Sequence, residues 1–187
     1  DGNGNPSSSN KLDAMLKNAF SINAPFTAFK YLAINPSIKL NSDFVNKYQE
    51  AVLGEGGEVE FIEIDKFKNR TTGNLGLSLS TKIYGVLPIQ FNKIESIRHV
   101  ITPSMRFSFS PDYLSNENYF QSFNDEYYDY FNRSIIGSTP TTSTKKLSLS
   151  LGNVFQAKIK DGDKEEKVNI LSWGISSGYN FNAEQFK

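Results

Sequence analysis

The fold is decided by the stretch Ile97-Arg98-His99-Val100-Ile101-Thr102-Pro103-Ser104-Met105-Arg106-Phe107-Ser108-Phe109. Its apolar residues fall on alternate positions, with His99 and Pro103 in phase with them. The intervening positions are polar, and only Val100 interrupts them. Alternation of this kind places apolar side chains on one face of a β-strand and polar side chains on the other. We therefore predict an amphipathic strand over 94–110.

Three further stretches show the same period of two, at 73–86, 145–160 and 168–183. Their apolar sets begin with Leu75, Leu147 and Leu171, and Ser, Gly and Asn dominate the alternate positions. We predict that these stretches and 94–110 form one antiparallel sheet of consecutive hairpins. Less regular strands are expected near 17–24 and 29–44, and Leu12–Asn18 suggests one or two helical turns.

The predicted strands are longer than those of typical soluble proteins, which have about 5–6 residues. A bilayer-crossing strand needs about 9–11 residues. Short connections are expected near 24–28, 87–93 and 161–167, and long loops near 45–71 and 111–144. Tight turns on one side and long loops on the other are typical of outer-membrane barrels. The sequence thus predicts an all-β, antiparallel up-and-down meander that forms part of a transmembrane β-barrel, over 17–187.

Composition excludes several classes of protein. The 187 residues include 20 Lys+Arg, 20 Asp+Glu and no Cys, so we expect no nucleic acid partner and no thiolate chemistry. No apolar run of about 18 residues is present, which argues against a transmembrane helix. Residues 1–16 are expected to form a flexible N-terminal segment. The smallest barrels with a wet lumen have about eight strands, so we expect the chain to be one section of a larger barrel.

No residue pattern indicates catalysis, a cofactor or a metal site. His99 is the one histidine, and it lies on the apolar side of its strand, so we interpret it as a half-buried packing residue. The acidic cluster 124–129 lacks the spacing of a calcium loop and is interpreted as a solvated loop. The segment Gly54-Glu55-Gly56-Gly57 lacks the Lys-Ser/Thr of a phosphate loop. Residues 55–65 alternate and suggest a hairpin arm.

Two groups of side chains are candidates for functional positions. The polar faces of the strands suit a water-filled lumen, and the candidate lumen-facing residues are Lys82, Arg98, Thr102, Ser104 and Arg106. Tyr84, Tyr113 and Trp173 are candidates for the aromatic girdles at the membrane interfaces, although ordinary packing within a sheet would also explain them.

Several segments, taken in order, resemble the LptD family of outer-membrane lipopolysaccharide-assembly proteins. The match begins with Thr81-Lys82-Ile83-Tyr84-Gly85, continues through Ile97-Arg98-His99-Val100-Ile101-Thr102-Pro103-Ser104, and runs on to Pro111-Asp112-Tyr113. A tyrosine-rich stretch (119–131), Leu151-Gly152-Asn153, Lys158 and Tyr179-Asn180-Phe181 follow, and Ile34-Asn35-Pro36-Ser37-Ile38 resembles an earlier strand. The ordered resemblance covers about 29–44 and 73–183.

This resemblance implies transport and no enzymatic activity. A member of the family inserts lipopolysaccharide into the outer leaflet of the bacterial outer membrane. Its partners are lipopolysaccharide, a plug lipoprotein of the LptE type, periplasmic bridge proteins and outer-membrane lipids. On this reading Lys82, Arg98 and Arg106 meet lipid phosphates or the plug, unless they pair with carboxylates in the lumen. The matched motifs themselves describe the architecture of the C-terminal barrel region.

Two other functions remain open from the residues alone. One is a different outer-membrane barrel, of the porin or receptor type. The other is a soluble β-sandwich that binds carbohydrate through its tyrosines. The alternation of short and long connections favours a barrel, because a sandwich has no reason to sort its loops by side.

Overall fold

The computed structural model describes residues 12–123, 125–161 and 164–182. The described residues form strands, turns and irregular segments, and no helix among them is long and apolar enough to cross a membrane. The strands are β1 (Met15–Asn23), β2 (Phe26–Ala28), β3 (Leu32–Val45), β4 (Tyr48–Leu53), β5 (Val59–Ile64), β6 (Lys68–Ser80), β7 (Ile83–Phe91), β8 (Ile94–Ser110), β9 (Phe120–Phe123), β10 (Glu126–Asp129), β11 (Thr144–Asp161) and β12 (Lys164–Asn180). The predicted flexible segment lies mostly outside the described residues, since these begin at residue 12.

Eight strands form one antiparallel meander, in the order β1-β3-β6-β8-β11-β12, with β2 beside β3 and β7 beside β8. The predicted all-β antiparallel meander is confirmed, and the four regular stretches are β6–β7, β8, β11 and β12. β8 is central, because it pairs with β6 over 104–109, with β7 over 94–101 and with β11 along its length. Ser104 and Arg106 of its polar set each face serines of both neighbouring strands.

Prolines interrupt the meander at two places. The strand break at 24–25 lies opposite Pro36, and the break at 81–82 lies opposite Pro103. In both cases the facing amide, of Ala24 or Thr81, donates to the proline carbonyl at 3.1 and 3.2 Å. The reciprocal hydrogen bond, from the amide of residue 36 or 103 to the facing carbonyl, cannot form because proline has no N–H. This lost bond accounts for the division of two long strands into β1–β2 and β6–β7.

The first hairpin corrects the sequence prediction. The expected turn at 24–28 is wrong, because Phe26–Ala28 pairs with β3, and the chain reverses at 29–31 instead. Phe29 and Lys30 there have φ values of 52° and 71°, in the left-handed region. The helical turns suggested for Leu12–Asn18 are also wrong, since β1 begins at Met15. β7 likewise continues to Phe91, and the reversal uses only residues 92–93, with φ 56° at Asn92.

Short hairpins occupy both long connections. β4 and β5 pair antiparallel, which confirms the hairpin suggested by the alternation of 55–65. Their turn contains Gly57 at φ 79°, a conformation that glycine adopts without strain. The acidic cluster falls largely on β10, which pairs with β9, so its interpretation as a plain loop is wrong. Asn124, between these two strands, lies outside the described residues.

The described chain divides into two compact units. The loop unit contains residues 12–19, 40–72 and 112–142, and the sheet unit contains residues 20–39, 73–111 and 143–182. The loop unit has an aromatic core of its own, formed by Val45, Tyr113, Tyr119, Phe120 and Phe131. The described residues of the sheet unit form strands, turns and short irregular breaks. Ala157 is the one buried hydrophobic residue among its described residues. The sheet unit is therefore a single layer with two solvent-accessible faces.

Candidate functional site: the polar face of the sheet

The polar face of the sheet unit carries a row of serines across four neighbouring strands. Ser80 of β6, Ser104 of β8, Ser150 of β11 and Ser176 of β12 are successive register partners. The hydroxyls of Ser104 and Ser150 lie 2.6 Å apart and share a hydrogen bond. A hydroxyl both donates and accepts, so this row offers adaptable partners to a passing polar group.

Arg106 lies in the next row, between Ser78 of β6 and Ser148 of β11, and Gly178 follows on β12. Its side chain is exposed and lines a shallow depression of about 540 Å³ together with the serines. Lys146 occupies the row beyond, between Ser108 and Asn180. Neither cation has an ion-pair partner among the described residues, and these rows contain no Asp or Glu. The surface is therefore cationic and polar.

Arg98 belongs to a polar ladder nearer the tight turns. Its guanidinium Nε donates to Gln156 Oε1 at 2.8 Å and its Nη2 also contacts that oxygen. The Gln156 amide donates in turn to Asn169 Oδ1 at 2.7 Å, so three strands are linked by side chains. The Tyr84 ring lies 5.7 Å from the guanidinium carbon, within range of a cation–π contact. Arg98 is thus held in place by an amide oxygen and an aromatic ring.

The two remaining lumen candidates lie close to these rows. Thr102 faces Gly152 of β11, and Gly174 follows on β12, so the backbone there is covered only by small groups. Lys82 lies in the break between β6 and β7 and is exposed. Register places Arg98, Thr102, Ser104 and Arg106 on one face of β8, as strand alternation requires. That this face lines a lumen remains a prediction.

The carboxylates of the sheet unit are concentrated at the ends of strands, near the turns. Lys158 Nζ lies 2.8 Å from both Glu95 and Glu165, and Lys160 lies 3.7 Å from Glu95. These acids are therefore already paired with lysines. Among the described residues, neither the Arg98 nor the Arg106 guanidinium has a carboxylate within ion-pair distance. The alternative that these arginines pair with lumen carboxylates is therefore not supported.

The opposite face of the same strands is apolar and exposed. One row contains Ile83, Ile101, Asn153 and Trp173, and another contains Leu77, Phe107, Leu147 and Tyr179. Ile83, Trp173 and Tyr179 keep 46–58% of their surface exposed, although they are large apolar side chains. A contiguous apolar surface of this kind marks contact with another protein or with a membrane.

One polar pair interrupts this apolar face. His99 Nε2 lies 3.0 Å from Asn153 Oδ1, and the His99 ring stacks on Phe155 with centroids 4.0 Å apart. Asn153 is buried, and its Nδ2 has no hydrogen-bond partner among the described residues. The packing role expected for His99 agrees with this stack. Sequence reasoning missed Asn153, although its position in phase with Leu151 and Phe155 was a signal that it shares their face.

The three candidate girdle aromatics occupy different environments. Tyr84 pairs with Val100 and lies beside Arg98, on the polar face. Tyr113 is buried in the core of the loop unit, with its ring centroid 6.0 Å from that of Tyr119. Trp173 is half-exposed on the apolar face. The structure therefore brings Trp173 alone of the three onto the apolar face.

In the loop unit, Lys68 lies between two tyrosine rings. Its Nζ is 4.5 Å from the centroid of Tyr48 and 3.5 Å from that of Tyr130. Burial lowers the pKa of Lys68, and the nearby Glu50 carboxylate partly opposes this effect. Burial also raises the pKa of Tyr48 and of Tyr130, and a hydrogen bond to Glu50 raises that of Tyr48 further. The ammonium group thus lies against two aromatic faces, which attract cations.

The arrangement is suited to binding polar and anionic groups, and it provides no set of ligands for a metal ion. Among the described residues, no group of three or more His, Asp or Glu side chains is placed to hold one. Exposed guanidinium and ammonium groups beside hydroxyls make charge-assisted hydrogen bonds with phosphate or carboxylate oxygens. The site is therefore a surface for recognition, distributed along four strands.

Comparison with known proteins gives one family. A model of the family described as LptD protein matches residues 3–187, nearly the whole chain. No curated protein and no solved structure matches the chain significantly. The chain therefore belongs to the LptD protein family, whose members act in lipopolysaccharide transport and assembly.

Proposed function

We propose that the sheet unit forms part of the wall of a transmembrane β-barrel in the bacterial outer membrane, and that this barrel inserts lipopolysaccharide into the outer leaflet. The apolar face meets lipid and outer-membrane hydrocarbon. The polar face lines a water-filled lumen. The protein acts by transport and is not an enzyme.

The two faces of the sheet support the membrane part of this proposal. An arginine facing hydrocarbon at the middle of a bilayer costs roughly 2–4 kcal/mol, so Arg106 belongs on the wet side. Within the sheet unit itself, no second layer of described residues packs on the apolar face, and Ala157 is its one buried hydrophobic residue. A carbohydrate-binding sandwich would bury such a face against a second sheet. The single layer therefore favours a barrel wall over the sandwich.

The observation that carries the choice of cargo is a pair of cations, Arg106 and Lys146, that lie among hydroxyls and have no ion-pair partner in the described part of the chain. Lipopolysaccharide combines phosphates with many sugar hydroxyls. Arg106 and Lys146 would meet the phosphates, and the serine row would exchange hydrogen bonds with the sugars. Lumen carboxylates, which would compete for these cations, are missing from the rows described above. Family membership supports the same cargo.

The partners follow from the same proposal. A plug lipoprotein of the LptE type would occupy the lumen, where the glycines and serines of β11 and β12 leave a flat surface. Periplasmic bridge proteins would deliver the lipopolysaccharide. Membership of the LptD protein family supports these partners.

The test substitutes Arg106, on the polar face of the sheet, and expresses each variant in the bacterium from which the protein comes. Arg106→Glu places an acid where phosphates would pass, while Arg106→Lys keeps the positive charge. A hydrogen bond to a charged group contributes about 1.5–3 kcal/mol, so we expect roughly a tenfold or larger loss of lipopolysaccharide delivery in Arg106→Glu. Delivery is measured as surface-accessible lipopolysaccharide at equal levels of folded barrel. Arg106→Lys should stay close to the wild type.

A porin or receptor predicts a different result. Arg106→Glu would then change the uptake of charged solutes and leave surface lipopolysaccharide unaltered. That outcome, with the barrel folded and present at the normal level, would reject the proposed cargo.

A further inference from the structure

A second polar site lies within the loop unit, where β1, β3 and β6 are neighbouring strands. It is a pocket of about 380 Å³ lined by residues of all three strands and by residues 136–140 of the long connection. Its volume is within the range of small-molecule sites, about 300–1,000 Å³. Sequence reasoning did not single out any of its side chains.

The base of the pocket is a buried ion pair. Arg70 Nη2 lies 3.2 Å from Asp43 Oδ2, and the two residues are only 5% and 8% exposed. Arg70 Nη1 also donates to the carbonyl of Gly137 at 2.8 Å and to Thr139 Oγ1 at 3.3 Å. Several bonds therefore fix the guanidinium. Its Nε is still buried without a hydrogen-bond partner among the described residues.

The walls carry polar groups that make no bond with the described chain. Lys17 of β1, Asn41 of β3 and Thr72 of β6 all line the pocket, and their side chains have no hydrogen-bond or ion-pair partner among the described residues. Lys17 and Asn41 are exposed. Because all three residues lie on strands, their backbones are placed more precisely than those of loop residues.

The charge, the hydrogen-bonding groups and the apolar residues of the pocket lining indicate which class of ligand it fits. Lys17 and Arg70 contribute two positive charges and Asp43 one negative charge, so the lining has a net charge of +1 (2 − 1). The free amide and hydroxyl can both donate and accept, as sugar hydroxyls require. Ile136 and Pro140 add apolar surface against which the C–H face of a sugar ring can pack. An inorganic anion would contact only the positively charged side chains and would leave the amide, the hydroxyl and the apolar residues of the pocket without a partner.

We propose that this pocket binds an anionic saccharide, a sugar that carries a phosphate or a carboxylate. Lys17 pairs with the anionic group, and Asn41 and Thr72 bond the neighbouring hydroxyls. The inference rests on the proposed function, since a lipopolysaccharide transporter handles phosphorylated and acidic sugars. It adds a saccharide site in the loop unit, separate from the serine rows of the sheet unit.

The test measures binding of glucose 6-phosphate to the full-length protein in detergent, by saturation-transfer NMR and titration calorimetry. Neutral glucose and inorganic phosphate are the comparison probes. We expect glucose 6-phosphate to bind more tightly than either, and added salt to weaken it. Lys17→Gln should weaken glucose 6-phosphate by about tenfold, the effect of one charge-assisted hydrogen bond. Asn41→Ala should weaken glucose and glucose 6-phosphate alike.

Lys66→Gln is the matched control, because Lys66 is an exposed lysine of the same unit that does not line the pocket. Its binding should equal that of the wild type. Equal binding of inorganic phosphate and glucose 6-phosphate would overturn the saccharide assignment, and equal losses in Lys17→Gln and Lys66→Gln would overturn the site. Surface lipopolysaccharide measured in Arg106→Glu separates the two proposals. If Arg106→Glu loses delivery but the wild-type protein does not bind glucose 6-phosphate, the pocket proposal alone is rejected. If the wild-type protein binds glucose 6-phosphate but Arg106→Glu delivers lipopolysaccharide normally, the transport proposal alone is rejected.

Discussion

At the scale of single residues, the loop unit depends on one buried arginine. Arg70 is paired with Asp43 and also bonds the Gly137 carbonyl and the Thr139 hydroxyl, so it connects β3, β6 and the long connection. The Phe131 ring lies 5.2 Å from its guanidinium carbon. These partners are 27 to 69 positions away in the chain. No local pattern could have predicted them, because strand alternation gives the face of a residue and not its distant partners.

Arg70→Met should destabilise the loop unit by about 3–5 kcal/mol, because it leaves the Asp43 carboxylate buried without its cation. The thermal midpoint in detergent and the protease resistance of 112–142 would both fall. The double variant Arg70→Met/Asp43→Asn should recover part of the loss, since it no longer buries an unpaired charge. Lys66→Met, an exposed lysine, should behave as the wild type. Wild-type melting of Arg70→Met would contradict the role assigned to the pair.

At the scale of elements, the period of two was enough to predict four long strands and the alternation of apolar and polar faces along them, although Tyr84 and Asn153 were not placed by it. In the observed register the apolar faces of β6, β8, β11 and β12 lie on the same side of the sheet. A shift of one residue would turn the apolar face of a whole strand to the opposite side, so this register is strongly favoured. The first turn was misplaced because Ala24-Pro25 resembles a turn sequence. In the structure these two residues form a short break between β1 and β2, opposite Pro36. The short pair β9–β10 was missed because four-residue strands carry too little alternation to detect.

Proline explains both strand breaks, and this can be tested at Pro103. The Thr81 amide donates to the Pro103 carbonyl, so these two residues occupy a hydrogen-bonded position that lacks its second bond. Pro103→Val supplies the missing N–H, and we expect a gain of about 0.5–1.5 kcal/mol. Hydrogen exchange of peptides that cover 80–84 in detergent should slow.

Pro103→Ala is the control for side-chain effects, and it should slow the same exchange, because it also restores the donor. Exchange across β11 should not change, since the ladder between β8 and β11 is already continuous through Leu151. Unaltered exchange at 80–84 in both variants would show that the missing proline donor is not the cause of the break.

At the scale of the whole molecule, the described chain combines a loop unit with a core and a sheet unit without one. A soluble protein would not leave a stripe of Leu, Ile and Trp exposed along four strands. The apolar stripe could be predicted from the sequence, as could the polar face with Arg98 and Arg106. The loop-unit pocket and the Lys68 site could not, because each forms from segments far apart in the chain whose side chains meet only after folding.

The central claim is that the apolar face meets lipid and the polar face meets water, and cysteine scanning tests it most directly. The chain has no native cysteine, so each introduced thiol reports one position without background. Cysteines at 106 and 148 should react with a water-soluble thiol reagent, and those at 105 and 149 with a lipid-soluble one, in the full-length protein in membranes. The pairs Arg106–Ser148 and Met105–Leu149 are register partners, so neighbouring strands serve as mutual controls. Aqueous labelling at 105 and 149 with protection at 106 and 148 would contradict the account, because the sheet would then present its apolar face to water.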